Sequence, residues 1–143
     1  MAVHAFNLDF HSTVLSIESP GQEWNDRIGS VFPGFVRDFD TASANFQLSL
    51  QAAENPAAHG LPLTYSGKMS DGQHADIYQD ENHTIIELEG GTSVDINHTA
   101  QTATAYLAGR SAFRFFGTAL MTVIDAALAA QGQQCVHSAS LTI

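Results

Sequence analysis

Two histidines carry the first chemistry the chain suggests. His83 and His98 each sit in an Asn-His-Thr tripeptide, and together they flank the hairpin signal Gly90-Gly91. With a plain two-residue loop the imidazoles would face each other and could share a metal ion; with a loop one residue longer they are offset. Two imidazoles without an assigned carboxylate make an incomplete site, so coincidence is the simpler account. Asp80 and Glu81 could complete it, but acids in a turn usually face solvent. A third histidine, His137, lies in the terminal run Cys135-Val136-His137-Ser138-Ala139-Ser140, and by itself it reads as a strand histidine hydrogen-bonded in a sheet. Cys135 is the only cysteine, which excludes a disulfide within the chain and any multi-cysteine metal site. It reads as a buried thiol, because few cations are at hand to activate it. Arg110 and Arg114 at a helix start could bind an anion, but cations there oppose the helix dipole, and pairing with the abundant acids is expected. No Ser/His/Asp or paired-carboxylate constellation can be nominated from spacing, since such groups converge only in the fold.

The elements that would position these residues can be read from periodicity. Phe6, Leu8 and Phe10 alternate with Asn7 and Asp9, a half-buried strand, and a bend or bulge near Ser12-Thr13 divides it from Val14, Leu15 and Ile17. Trp24, Ile28, Val31 and Phe32 then recur at helical spacing, with Trp24 as the expected core anchor, until Pro33-Gly34 ends the helix. Phe46, Leu48 and Leu50 mark another strand, and 52–62 reads as loop. Shorter strands follow at 63–66, 75–78, 84–89 and 92–96. In the last pair, Gly91 as a bulge would set Leu88 against Val94 and Ile86 against Ile96, the cleaner apolar pattern. The polar run 97–104 leads to a long, nearly uncharged helix, Ser111 to Gln131, with Ser111 as N-cap and Gly132 just past its end. Its apolar positions include Phe113, Phe116, Leu120, Val123, Ile124, Ala127 and Leu128, an arc wide enough to predict burial on more than one side. A terminal strand, Cys135 to Ile143, completes a single α+β domain over 1–143: a mainly antiparallel sheet of about six strands, one long apolar helix and one short helix.

Composition narrows the partners. Five Lys plus Arg face fifteen Asp plus Glu, a formal net charge of −10, so phosphate backbones and anionic lipid surfaces are repelled and nucleic-acid binding is not expected. Hydrophobic residues make up 44% and the mean hydropathy is −0.04, as in globular proteins. No apolar run reaches the ~18 residues of a spanning helix. The N-terminus lacks the basic start of a signal peptide, so no membrane insertion and a cytoplasmic location are expected.

The order of elements, and above all Leu128-Ala129-Ala130-Gln131-Gly132-Gln133-Gln134-Cys135-Val136-His137-Ser138-Ala139-Ser140-Leu141, resembles the HPr kinase/phosphatase-like family. There a long helix ends in a glycine, leads to a Leu-His-Ala-Ser-Ala strand, and one more hairpin reaches a glycine-rich phosphate loop. The resemblance implies ATP-dependent phosphoryl transfer, with His137 as the catalytic candidate near the transferred phosphate. The chain departs from the family in one respect that matters: it has no Gly-x-x-x-x-Gly-Lys-Ser/Thr loop, and its single lysine, Lys68, sits in Gly67-Lys68-Met69-Ser70 without the upstream glycine. It is therefore expected to be the part of such a protein that precedes the phosphate loop, non-catalytic or truncated, supporting substrate recognition. ATP and magnesium would enter only if a phosphate loop follows, and no cofactor is expected in this chain. The expected partner is its own C-terminal kinase half or another protein. The alternative is a protein-binding subunit of a larger complex or oligomer, with no part in phosphoryl transfer.

Overall fold

Alternation of apolar and polar residues runs through nearly every strand, and it places the apolar half on one side of a single sheet. The computed structural model describes residues 3–54 and 59–133. The strands are β1 (His4–Asp9), β2 (Val14–Ser19), β3 (Val36–Arg37), β4 (Phe46–Gln51), β5 (Leu63–Lys68), β6 (His74–Gln79), β7 (His83–Leu88), β8 (Ser93–Asn97) and β9 (Thr102–Tyr106). Helix α1 (Gln22–Val31) follows β2, and α2 (Thr118–Ala130) follows β9 after a 3-10 segment, Gly109–Phe116. The nine strands form one sheet in the order β3-β1-β2-β4-β9-β8-β7-β6-β5.

The α+β class holds, but the sheet is mixed rather than mainly antiparallel. The pairs β2/β4 and β4/β9 are parallel, and the remaining pairs are antiparallel. The parallel pair β4/β9 arises because β9, which begins inside the run expected to be a polar connection, inserts beside β4 in the middle of the sheet. Its covered residues are Ala103 and Ala105, both buried, whose small side chains give little hydrophobic signal beside Thr102 and Thr104. The expected bend near Ser12 is a full reversal. His11 adopts φ 71° and Phe10 N–H donates to Thr13 C=O at 2.8 Å, so the first apolar stretch becomes a hairpin of β1 and β2.

The long helix expected over 111–131 is two segments, bent by 50° at Gly117. Asp71, in the turn between β5 and β6, accepts the Thr118 N–H at 2.9 Å and so caps α2 where a continuous helix would have run on. A Cβ at position 117 would press on Asp71 Oδ2, so a side chain there would have to displace the capping carboxylate. Ser111 is not an N-cap: it is buried in the 3-10 segment, and its hydroxyl lies 2.7 Å from Thr92 Oγ1. The other end is as expected. Gly132 has φ 75°, its N–H reaches Ala129 C=O, and Gln133 N–H reaches Leu128 C=O, the paired bonds of a Schellman cap.

Buried residues of α2 come in pairs every four positions (Ala119 and Leu120, Val123 and Ile124, Ala127 and Leu128), and this stripe meets the sheet. Its core partners include Leu8, Leu15, Ile17, Leu48, Leu50, Ile86, Val94 and Ile96, so the described chain has one contiguous core. In α1 the buried anchor is Ile28, with Trp24 only half-buried and Val31 exposed. Among the described residues no single helix is long and apolar enough to cross a membrane. The terminal strand expected at Cys135 to Ile143 lies outside the described residues.

Candidate functional site

The hairpin decides the fate of the histidine pair. Its register is neither of the two expected: Ile86 faces Val94, Thr84 faces Ile96 and His83 faces Asn97. Leu88 N–H donates to Thr92 C=O at 2.9 Å, so the loop is Glu89-Gly90-Gly91, with φ 92° and 99° at the two glycines. The apolar side of β7 is the expected one, displaced by two residues against β8. Thr92 is drawn into this register by bonds beyond the hairpin: its hydroxyl accepts the Ala108 N–H at 3.1 Å and meets Ser111. Consequently His83 shares a face with Ile85 and Glu87. His98, whose N–H donates to Asn82 C=O, shares the opposite face with Thr84, and its Nε2 lies 2.8 Å from Thr84 Oγ1. The structure does not bring the two imidazoles together. Among the described residues no three His, Cys, Asp or Glu side chains are grouped to hold a metal ion. His137 and Cys135 lie outside the described residues.

A different trio does converge. Ser66 Oγ donates to Asp76 Oδ1 at 2.6 Å, and His74 Nε2 lies 3.2 Å from the same oxygen and 3.5 Å from Ser66 Oγ. A nucleophilic relay needs one ring nitrogen on the hydroxyl and the other on the carboxylate. Here a single nitrogen meets both, and the serine already spends its proton on the acid. Asp76 is held below its ordinary pKa by that serine bond first, against some desolvation, and then by His74. Nearby, His59 Nε2 lies 3.2 Å from Glu87 and its ring packs 4.6 Å from Tyr78. The charge of Glu87, then burial, then Asp76, push the Tyr78 phenol above its ordinary value.

Asp71 shows how the helix break is held electrostatically. Burial pushes its carboxyl up, but the backbone bonds from Thr118 and Gln73 and the side-chain bonds from the same two residues outweigh it, and the pKa falls below the ordinary 3.8. A lowered folded-state pKa means stability that is present above the unfolded pKa and lost as pH falls through the folded one. Asp71→Asn is therefore expected to be less stable than wild type at about pH 6, with the difference shrinking toward about pH 2. Urea unfolding at several pH values checks it; a pH-independent difference would count against the capping account.

A polar surface lies on the side of the sheet opposite α1 and α2. Register places Ser16 and Glu18 of β2, Gln47, Ser49 and Gln51 of β4, Thr102 and Thr104 of β9, and Ser93 and Asp95 of β8 on that side. A depression of about 200 Å³ is lined there by Ser16, Glu18, Thr41, Gln47, Ser49 and Thr104. It adjoins a second of about 320 Å³ at the C-terminal ends of β2 and β4, where Val3, Pro20 and Leu50 add apolar walls; Glu18 and Ser49 line both. The segment after β3 crosses this face, with Asp40 C=O accepting from Asn7 Nδ2 at 3.0 Å. Among the described residues, Ser93 Oγ and Asp95 Oδ1 on the same side of β8 are buried without a hydrogen-bond partner. None of these residues stood out in sequence, where they form the polar half of ordinary alternation. Only the neighbour order β2-β4-β9-β8 gathers them. Compared with family models, with characterised proteins and with solved structures, the chain has no match.

Proposed function

We propose that the chain is a recognition module that presents the polar face of its sheet, opposite α1 and α2, to a protein partner. The observation that carries this reading is the open trough lined by Ser16, Glu18, Gln47, Ser49 and Thr104, which gathers hydroxyl, amide and carboxylate groups from three neighbouring strands. A partner's polar groups can pair with these side chains, each bond contributing about 0.5–1.5 kcal/mol net. The likeness of residues 128–141 to HPr-kinase-like proteins supports a more specific version, in which the partner is the substrate of ATP-dependent phosphoryl transfer. ATP and magnesium belong to that version only where a phosphate loop follows. The trough itself suits either that partner or a fellow subunit of a complex.

Ser49 lines both depressions and is half-buried, so Ser49→Arg fills the trough without touching the core. In native extract the wild-type chain is expected to elute well above its 15.3 kDa with a co-purifying protein, and the variant to elute alone at that mass with an unchanged melting temperature. Wild-type chain eluting alone, or a variant that keeps its partner, would refute the reading. Calorimetry with ATP and magnesium should show no binding to this chain; tight binding would refute its non-catalytic character.

A further inference from the structure

Two of the five basic residues, Arg110 and Arg114, line one cleft of about 400 Å³ with Glu89, Gly90, Ser111 and Phe113. In a chain with fifteen acids each would be expected to hold a carboxylate. Neither does: among the described residues the only ion pairs within reach are those of His59 and His74. The Arg114 guanidinium instead lies 5.3 Å from the centre of the Phe113 ring, and that ring is 56% exposed. The 3-10 winding explains the grouping. With about three residues per turn, positions 110 and 113 fall on the same side of the segment, and Arg114 packs against Phe113. The Ser111 hydroxyl is committed to Thr92, Gly90 C=O and Ala108 C=O, which leaves the guanidinium groups as the cleft's free donors.

We infer that this cleft binds an organic monocarboxylate with a flat apolar body. The two guanidinium groups supply forked donors for a carboxylate, and the exposed phenyl ring supplies the surface for the body attached to it. Glu89 sets the charge limit. With one carboxylate facing two arginines the cleft carries a single net positive charge, which suits a monoanion and disfavours a phosphate dianion. The volume lies within the range of small-ligand sites. This site is separate from the sheet face of the preceding section and stands or falls independently of it.

The test is a titration of the whole chain, followed by amide NMR, with three probes: phenylacetate, acetate and inorganic phosphate. Phenylacetate is expected to shift the amides of Gly90 and of residues 110–114. It should bind at least about tenfold more tightly than acetate, the contribution of the ring. Arg110→Ala and Arg114→Ala should each weaken it about tenfold, the loss of one charge-assisted contact. Glu89→Gln should strengthen it and raise phosphate affinity more. Phosphate binding tighter than phenylacetate to the wild-type chain would overturn the monocarboxylate assignment. Shifts insensitive to both arginine substitutions, or absent at millimolar probe, would overturn the site. Arg110 is exposed, so Arg110→Ala keeps the fold and the comparison meaningful.

Discussion

Phe115→Ala is expected to lower the unfolding free energy by about 3–5 kcal/mol, whereas Phe113→Ala, two positions away, should cost under about 0.5 kcal/mol. Helical periodicity over 111–131 points the other way, since it puts Phe113 on the apolar stripe with Phe116 and Leu120. Winding at three residues per turn instead of 3.6 shifts the phase, and Phe115 becomes the side chain with 0% exposure while Phe113 faces solvent. Phe115 also meets Phe116 edge-on at 5.3 Å, and Phe116 in turn receives the Arg27 guanidinium of α1 at 5.1 Å. Removing the Phe115 ring therefore leaves a cavity and loosens the contact between the two ends of the helical layer. Urea unfolding of the two variants side by side is the measurement. Equal losses would show that 109–116 is wound as an α-helix after all.

The same phase shift illustrates what was legible in the sequence. Strands whose two sides differ strongly, such as Phe46-Gln47-Leu48-Ser49-Leu50, could be placed from alternation alone, because burying one face leaves only one alignment. Gly132 could be placed because a left-handed C′ residue is a local requirement. The break at Gly117 could not: it depends on Asp71, 46 positions earlier, arriving to cap Thr118. Strand β9 escaped because threonine and alanine alternate with little contrast in hydrophobicity, and missing it hid the parallel centre of the sheet. The sheet-face site was hidden for a related reason. Ser49, Thr104 and Asp95 become neighbours only through that parallel pairing and its antiparallel extension. The histidine pair shows the converse, a repeated tripeptide more simply read as coincidence, whose two imidazoles strand parity separates onto two faces.

Gly90→Ala should destabilise the protein by about 3 kcal/mol, combining roughly 1–3 kcal/mol of backbone strain with roughly 1–3 kcal/mol of overpacking. At φ 92° an L side chain is strained whatever its surroundings. Here the surroundings are also full: a Cβ on residue 90 would stand 2.6 Å from Ser111 Cβ and 3.1 Å from its Oγ. Ser111 has little freedom to yield, because it is buried and its hydroxyl bonds to Gly90 C=O and Ala108 C=O while meeting Thr92. Gly60 separates the two terms, since it has φ 68° but nothing within 4 Å of an added Cβ. Gly60→Ala should therefore cost only about 1–2 kcal/mol, the strain alone. If Gly90→Ala costs no more than Gly60→Ala in matched urea titrations, the hairpin loop does not press on the 3-10 segment as closely as described. The bonds among Thr92, Ala108 and Ser111 would then no longer account for the observed register of β7 against β8.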